Sequence, residues 1–415
     1  MIVKNKEIEV LAPSGSWESL RAAINAGADS VYFGASNLNM RSGSSVNFTL
    51  DDLRVIVEET KAGGVKSYLT LNTIMYDDDI EKSKSIIHIA IESGIDAIIA
   101  SDFAVIEYAK EAGARVHIST QANISNYSAV KYFSRFADVM VLSRELNLEQ
   151  VAYINQKIEE EQLKGPQGEL VKLEMFAHGA LCMAVSGKCY LSLHEWNKSA
   201  NRGSCLQTCR RSYIVTDKES GYELEIDNEY IMSPKDLRTI HFLDRIINAG
   251  VSVLKIEGRG RSPEYVKYTV ESYKEALNLI DKDEYTIEKV KELEEKLSKV
   301  YNRGFWDGYY LGQKLGDWSP IYGSEATEKK LFIGDITNYF SNLSVGEVQI
   351  RTNDLEIGDK IMIIGSTTGV YEGIVKELRD SKGPIKKAGK GDLVAFPVDT
   401  KIRRRDKLYK IVTNI

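Results

Sequence analysis

The stretch Asn25-Ala-Gly-Ala-Asp-Ser-Val-Tyr-Phe-Gly34 contains the unit that decides the fold of this chain. A small residue and a glycine end a helical segment, and an apolar run follows directly. Glycine is the usual residue where a helix ends in the left-handed conformation, and a short apolar run bounded in this way is typical of a buried strand. Related units recur at residues 61–70, 92–101, 111–120 and 248–257.

Helical patterns precede these units, for example at residues 16–26 and 80–93. Helices that alternate with short apolar strands indicate a parallel sheet. About eight strands can be counted, near residues 8–12, 30–34, 65–72, 96–101, 115–120, 138–143, 172–177 and 251–257. Eight such units have the size of a (β/α)8 TIM-like barrel, which we predict for residues 1–280. An open doubly wound sheet is the alternative, but no G-x-G-x-x-G motif follows the first strand.

Three further segments complete the predicted organisation. Residues 178–235 form an insertion before the last strand, with a predicted hairpin at residues 213–217 and 222–226. Residues 281–327 form a helical linker segment with a charged amphipathic helix at 285–301. From residue 328 to residue 415, short β runs separated by glycine turns predict a small all-β barrel. The predicted fold class is therefore α/β, a TIM-like barrel with a cysteine-bearing insertion and a C-terminal all-β barrel.

Composition restricts the class of protein. The chain has 415 residues, of which 43% are hydrophobic, enough for one large domain and a smaller one. Its first residues lack the apolar region of a secretory signal, and no uncharged apolar run approaches the ~18 residues of a membrane span. We therefore expect a soluble, cytoplasmic protein without a membrane partner.

The four cysteines, Cys182, Cys189, Cys205 and Cys209, all lie in one stretch of 28 residues. Packing cysteines would be scattered, and a reducing cytoplasm favours metal ligands over disulfides. Four thiolates can hold an iron–sulfur cluster or a structural zinc. Only Cys205 and Cys209 have the close spacing of a zinc knuckle, whereas iron–sulfur clusters accept wider spacings. His178 lies four residues before Cys182, so a nucleophilic Cys–His pair is a further interpretation.

Polar residues follow the predicted strands, at the positions where a barrel places its active site. The candidate catalytic residues are Gln121, Arg144, His178, Glu257 and Arg259. We expect them to face one cavity, in which Arg144 and Arg259 can clamp a carboxylate or a phosphate. Other candidates at strand ends are Ser14, Gly15, Asn72, Asn123 and Glu145.

The formal net charge of −6 is unevenly distributed. Residues 381–410 contain ten Lys and Arg against three Asp, which leaves −13 for the remainder of the chain. A solvated basic surface and a phosphate-binding patch are equally compatible with this run. The predicted RNA-binding residues of such a patch are Lys386, Lys387, Arg403, Arg404 and Arg405. The alternative RNA surface contains Lys198, Arg202, Arg210 and Arg211.

Several motifs carry a resemblance to a known family. The most specific is Glu174-Met-Phe-Ala-His-Gly-Ala-Leu-Cys-Met-Ala-Val-Ser-Gly-Lys-Cys-Tyr-Leu-Ser192. The others are Leu11-Ala-Pro-Ser-Gly15, Met40-Arg41 with Asn47-Phe48, Asn201-Arg-Gly-Ser-Cys-Leu-Gln-Thr-Cys-Arg210, Met232-Ser-Pro-Lys-Asp-Leu237, Lys255-Ile-Glu-Gly-Arg259 and Asn302-Arg-Gly-Phe305. Together they resemble the collagenase-like peptidase family of unknown catalytic type, family U32. The resemblance runs nearly end to end, and the C-terminal domain is similar to the barrels of translation factors.

The resemblance implies an RNA-hydroxylating enzyme with a 4Fe–4S cluster on Cys182, Cys189, Cys205 and Cys209. One branch of the family forms 5-hydroxyuridine at the tRNA wobble position and depends on prephenate. Another branch hydroxylates a cytidine of large-subunit ribosomal RNA, and a third pair works in oxygen-independent ubiquinone hydroxylation. The length of this chain is most similar to the tRNA branch. The implied partners are tRNA, a small acidic co-substrate such as prephenate, and a partner protein of the same family.

Two other functions stay open at this point. A collagenase-like peptidase would use Cys182 or an unidentified nucleophile. A zinc-stapled RNA-binding protein would use the four cysteines only as structural ligands. Bound iron, protein cleavage and bound zinc distinguish the three hypotheses.

Overall fold

The structure is a computed structural model that describes residues 1–43, 46–214, 216–221, 232–313, 316–321 and 323–414. Its N-terminal part is a closed barrel of eight parallel strands, so the predicted TIM-like barrel is confirmed and the open sheet is wrong. The strands are β1 (Glu9–Pro13), β2 (Ser30–Phe33), β3 (Lys66–Leu71), β4 (Ala97–Ala100), β5 (Val116–Ile118), β6 (Val139–Val141), β7 (Lys172–Gly179) and β8 (Val251–Ile256). β8 pairs with both β1 and β7, which closes the barrel.

Helices alternate with the strands and bury an apolar stripe against them. They are α1 (Trp17–Asn25), α2 (Leu53–Ala62), α3 (Asp77–Ser93), α4 (Phe103–Glu111), α5 (Tyr127–Phe133), α6 (Leu148–Glu160), α7 (Leu191–Trp196), α8 (Leu243–Asn248), α9 (Pro263–Asp281) and α10 (Ile287–Ser298). Gly27 after α1 and Gly94 after α3 have φ of 82° and 81°, the left-handed helix end that the repeated unit predicts. None of the described helices is both long and apolar enough to cross a membrane.

The insertion between β7 and β8 contains α7 and two short 3-10 turns, Ala200–Arg202 and Thr208–Arg210. Behind it, a short strand, Asp236–Arg238, pairs antiparallel with β7 and parallel with Phe305–Trp306. The segment predicted as a helical linker, 281–327, therefore also extends the barrel sheet. The predicted hairpin at residues 213–217 and 222–226 falls largely outside the described residues.

The C-terminal domain is a separate antiparallel sheet with its own core. Its strands are β9 (Glu328–Phe340), β10 (Val345–Ile350), β11 (Lys360–Gly365), β12 (Gly369–Ile374), β13 (Leu378–Asp380), β14 (Gly383–Ile385), β15 (Leu393–Pro397) and β16 (Lys407–Thr413). Their spatial order is β12-β11-β16-β9-β10-β15-β13-β14. The short strands Leu355–Glu356 and Lys387–Ala388 form a separate pair. Ile333, Val348 and Phe396 are among the fully buried core side chains, so the predicted all-β domain is confirmed.

This domain docks on the helices beside β1 and β8. Lys267 Nζ of α9 lies 2.6 Å from Glu372 Oε1, and the Tyr268 hydroxyl donates to Glu372 Oε2 at 2.8 Å. Lys330 Nζ of β9 lies 2.8 Å from Glu264 Oε1 of α9. These contacts tie the sheet to the outer wall of the barrel.

Candidate active site

A cavity of about 240 Å³ opens at the end of the barrel where the strands reach their carboxyl ends. Its wall includes Gln121 after β5, Arg144 after β6, and Glu257 and Arg259 after β8. The insertion after β7 supplies the outer part of the wall. The structure thus brings together four of the five candidate catalytic residues, on the face where barrel enzymes carry their active sites.

All four cysteines line the same cavity as free thiols. Burial raises the pKa of the Cys209 thiol to about 11 against the effect of Arg210, and Cys182, Cys205 and Cys189 add to the rise. Within the described ranges, however, no three His, Cys, Asp or Glu side chains form a group arranged to hold a metal ion. The thiols therefore share one wall without enclosing a single ion.

Arg210 holds the two ends of the cysteine segment together. Its Nη2 donates to the Leu181 carbonyl at 2.5 Å, and its Nη1 donates to the Pro234 carbonyl at 2.7 Å and to Ser233 Oγ at 2.9 Å. The first and last cysteines are the chain neighbours of Leu181 and Arg210. This guanidinium, assigned by the sequence to the alternative RNA surface, is therefore engaged in positioning the insertion.

Glu257 is ion-paired deep in the cavity with Arg41. The Arg41 Nη2 atom lies 2.5 Å from Glu257 Oε1, and the Tyr32 hydroxyl donates to Glu257 Oε2 at 3.3 Å. Burial alone would raise the pKa of Glu257, but Arg41, Arg144 and Arg259 lower it to about 2. Glu257 is therefore a carboxylate at neutral pH and not a proton donor.

Arg259 is a buried guanidinium whose Nη1 donates to Thr70 Oγ1 at 2.8 Å and to Asn39 Oδ1 at 3.0 Å. Burial lowers its pKa to about 10, although Tyr32 and Glu257 oppose this effect. Gly15 makes the placement of Arg259 possible, because a Cβ at Gly15 would stand 1.8 Å from the Arg259 carbonyl oxygen.

Several buried polar atoms at the ends of β5 and β6 have no hydrogen-bond partner among the described residues. They are Thr120 Oγ1, Gln121 Oε1, Asn123 Oδ1 and Arg144 Nε. Arg144 packs its guanidinium 3.8 Å from the centre of the Phe176 ring and donates from Nη1 to the Ala180 carbonyl at 3.1 Å. Buried polar groups rarely stay unpaired, so the atoms of Thr120, Gln121 and Arg144, which line the cavity, point to a polar ligand there.

Four cations of the cavity wall were not selected from the sequence, namely Arg41, Lys255, Arg261 and Arg303. Lys255 Nζ lies 2.5 Å from the buried Glu174 Oε1, and Arg303 Nη1 lies 3.5 Å from Asp236 Oδ1. Arg261 follows the Lys255–Arg259 motif by two residues, and the other three belong to motifs that carried the family resemblance. Their presence in those motifs was the signal that could have identified them.

His178 does not line the cavity. Its ring is buried between Tyr265, Tyr273 and Phe305, with ring centres 5.9, 5.7 and 5.6 Å away. Burial, together with Arg238 and Arg261, lowers its pKa to about 3. The expectation that His178 faces the shared cavity is therefore wrong, because the β7 side chain at this position points into an aromatic core.

The predicted RNA-binding residues lie on the C-terminal domain and differ in environment. Arg404, Arg405 and Lys386 are exposed, whereas Arg403 is half-buried. Lys387 Nζ pairs with Asp354 Oδ2 at 2.9 Å, so part of its charge is neutralised. The sheet therefore presents fewer unpaired cations than the sequence suggests.

The sequence profile of the family described as Peptidase family U32 matches residues 15–320 of this chain. The matched region contains the barrel from the β1–α1 loop onward, the insertion and every cavity residue named above.

Individual relatives carry two kinds of name. The chain is 55% identical over 404 residues to a Porphyromonas gingivalis protein named Collagenase, covering 97% of this chain and 98% of that protein. It is 30% identical over 418 residues to a tRNA hydroxylation protein of Bacillus subtilis, covering 98% and 96% of the two chains. It is 32% identical over 327 residues to a 23S rRNA 5-hydroxycytidine synthase of Escherichia coli, covering 76% of this chain and 47% of that protein.

Proposed function

The chain is an enzyme of peptidase family U32, and from this we propose that it hydroxylates RNA with an iron–sulfur cluster. The observation that carries the proposal is the cavity itself, in which four thiols and a group of arginines share one wall. Thiols that hold a cluster beside a cationic binding site suit redox chemistry on an anionic substrate. The relatives named for tRNA and rRNA hydroxylation support RNA as that substrate.

We propose a 4Fe–4S cluster, and not a zinc ion, as the group that the four thiols hold. A structural zinc draws its four ligands to about 2.3 Å from one point. In the described residues no group of three potential ligands is arranged around such a point. A cluster of four irons is wider than one ion and accepts thiolates spread over a cavity wall. When bound, it would supply one-electron transfer to the reaction.

The arginines favour a small acidic co-substrate such as prephenate. Seven cationic side chains line the described cavity wall, and three carboxylates, Glu257, Glu174 and Asp236, pair with four of them, so positive charge remains in excess. Such an excess of positive charge attracts anions. Arg144 Nε and Gln121 Oε1 have no hydrogen-bond partner among the described residues, so both have hydrogen-bonding capacity left for a ligand. Arg259 and Arg41 are held in place by their protein partners and orient the acid.

The proposed RNA substrate and product follow those of the relatives named for tRNA hydroxylation. We propose tRNA as the RNA and 5-hydroxyuridine at the wobble position as the product, with a partner protein of the same family as a further component. An RNA substrate of this kind places the enzyme in the cytoplasm. Mass spectrometry of tRNA nucleosides from cells that express the parent or a cysteine variant tests the product, which carries one added oxygen. An identical nucleoside profile from both would overturn the assignment.

Anaerobic purification tests the cofactor. We expect iron, sulfide and a cluster absorption band in the parent protein, and loss of iron in each of Cys182→Ser, Cys189→Ser, Cys205→Ser and Cys209→Ser. Ser186→Ala changes another residue of the same cavity wall and should retain the iron. Stoichiometric zinc, or iron that survives any one of the four substitutions, would contradict four-thiolate ligation of a cluster.

Peptidase activity is the second candidate, favoured by the 55% identity to a protein named Collagenase. The structure offers no His178–Cys182 pair for it, because His178 lies in the aromatic core while Cys182 lines the cavity. Incubation with gelatin tests this candidate. Cleavage that disappears in Cys182→Ala but persists in Ser186→Ala would support the peptidase.

A further inference from the structure

Exposed aromatic side chains lie on the cysteine insertion and on the β3–α3 loop, two segments that also supply residues of the cavity wall. Tyr190 is 69% exposed, Tyr76 58% and Trp196 49%. Large aromatic side chains are buried to a high degree on average, and a group of exposed ones marks a binding surface. Tyr190 and Trp196 belong to the cysteine insertion, and Tyr76 follows β3 in the barrel. We call these three residues, with Lys188, Lys198, Arg202 and Arg211, the rim.

The two parts of the rim form one continuous surface. Arg202 of the insertion reaches the start of α3 and the loop before it, because its Nη1 lies 2.7 Å from Asp79 Oδ2 and its guanidinium 4.0 Å from the Tyr76 ring centre. The Ile74 amide donates to the Asn201 carbonyl at 3.2 Å. Insertion and barrel are therefore fixed to one another beneath Tyr76.

On the other side of the insertion, Arg211 and Trp196 form a similar pair. The Arg211 guanidinium lies 5.3 Å from the Trp196 ring centre and is held by Glu195 Oε1 at 2.7 Å from Nη1. An arginine held beside an aromatic ring forms a flat surface with a positive charge at its edge. The rim therefore contains two such surfaces and a further exposed ring, Tyr190.

The rim borders the cavity directly. Cys189 and Leu191, the chain neighbours of Tyr190, both line the cavity wall. A chain segment bound at Tyr190 would therefore continue into the site that holds the thiols and Arg259.

The insertion carries a local positive charge on an acidic chain. Residues 180–214 contain five Lys and Arg, one Glu and no Asp, whereas the whole chain is −6. Lys188 and Lys198 are exposed, and neither makes an ion pair within the described part of the chain. This charge complements a polyanion.

We propose that the rim binds the unpaired nucleotides on either side of the nucleotide that enters the cavity, an inference that rests on the proposed RNA substrate. A base can reach an enclosed cavity only when its strand is unpaired or the base is flipped out. Single-stranded RNA is bound by stacking of bases on aromatic rings and arginine planes, with lysines on the phosphates. Tyr76, Tyr190 and Trp196 are the stacking residues, and Lys188 and Lys198 contact the phosphates.

Binding of a fluorescent single-stranded uridine oligomer to the full chain, purified anaerobically, tests the rim. We expect Trp196→Ala and Tyr190→Ala each to weaken binding roughly tenfold, as for the loss of one base–aromatic stack, without changing the salt dependence. The double variant Lys188→Gln/Lys198→Gln should flatten the salt dependence instead. Tyr153→Ala removes an equally exposed tyrosine on α6 (56% exposed) and is the control that should bind as the parent does. The same uridine oligomer, paired with a complementary adenosine strand, should bind more weakly than the single strand.

The outcomes separate this inference from the proposed function. If the aromatic variants bind RNA as tightly as the parent and the hydroxylated nucleoside is still formed, the rim does not bind the RNA. The proposed RNA hydroxylation would then still hold. If RNA binding depends on the aromatic residues but no hydroxylated nucleoside is formed, the rim is an RNA-binding surface. The proposed hydroxylase function would then be wrong. If the protein binds vesicles of anionic lipid through Trp196 and does not bind RNA, the rim is not an RNA-binding site.

Discussion

At the scale of single residues, Glu257 shows how the cavity controls charge. Its folded-state pKa of about 2 is below the usual 4.5, because Arg41, Arg144 and Arg259 outweigh the effect of burial. The ionised carboxylate therefore stabilises the fold above about pH 4.5, and this contribution is lost as the pH falls towards 2. The shift corresponds to about 3 kcal/mol.

We therefore expect Glu257→Gln to lower the free energy of unfolding at pH 7 by up to about 3 kcal/mol. The variant should also show a flatter dependence of that free energy on pH between 4.5 and 2, because the titrating group is gone. Urea denaturation at a series of pH values measures both quantities. Glu58→Gln, at an exposed position on α2, is the control. Parallel curves for parent and Glu257→Gln would contradict the ion pair with Arg41.

Arg259 offers a second test at this scale. A lysine keeps the charge but has one nitrogen, so it cannot hold Thr70 and Asn39 and also present a planar fork to an acid. We expect Arg259→Lys to reduce hydroxylation at least tenfold while the cluster absorption stays unchanged. Arg135→Lys, on the outer surface beside Tyr132, should keep full activity. Normal turnover in Arg259→Lys would show that the guanidinium does not bind the co-substrate.

At the scale of elements, the mouth of the barrel depends on close contact between loops. The β1–α1 loop approaches the β8–α9 loop so closely that a Cβ at Gly15 would lie 1.8 Å from the Arg259 carbonyl oxygen. This clash is with backbone, which cannot move aside as a flexible side chain can. The glycine thus sets the position of the loop that carries Arg259.

We expect Gly15→Ala to displace the β8–α9 loop, to lower the melting temperature and to abolish activity. The cost of such overpacking is typically about 1–3 kcal/mol. Gly389→Ala is the control, because its Cβ would meet only Asp354 Oδ1 at 3.4 Å, an ordinary contact. Thermal denaturation and RNA hydroxylation measure the two effects. A Gly15→Ala protein with the parent's stability and activity would show that the loops adjust freely.

At the scale of the whole molecule, the C-terminal sheet is a second candidate RNA surface. It docks on α9 through Lys267 and Tyr268, which bind Glu372. The turn that carries the basic run lies beside α1, because the Thr368 hydroxyl donates to Asp406 Oδ2 at 2.5 Å and the Thr368 carbonyl accepts from Asn25 Nδ2 of α1 at 3.4 Å. The sheet is therefore held in one place relative to the barrel.

We expect Arg404→Gln/Arg405→Gln to weaken tRNA binding and to flatten its salt dependence, because each cation that contacts a phosphate releases counterions. The cluster spectrum should stay unchanged. These two side chains are exposed, so the substitution spares the half-buried Arg403. Lys387→Gln is the matched control, since Lys387 is paired with Asp354. If the double variant binds tRNA with the same affinity and the same salt dependence as the parent, the basic run is only a solvated surface and does not contact RNA.

The sequence by itself determined the architecture of this protein and the segment that holds its cysteines. Helix periodicity, apolar strand runs and the glycine after each helix are local signals, so the eight barrel strands were found close to their observed positions. The order of strands in a barrel follows from the chain order, and residues at strand ends such as Arg144 and Arg259 were therefore placed at one mouth.

Only the tertiary structure decided which charges pair and which side chains face the cavity. Arg41 and Glu257 are 216 residues apart and meet through the closed barrel. His178 follows the strand pattern as well as Glu257 does, yet its ring points into an aromatic core. Lys387 counts as a free cation in the sequence but is bound by Asp354. The physical reason is that periodicity depends on neighbours along the chain, whereas the environment of an ionisable group depends on atoms brought near it by folding.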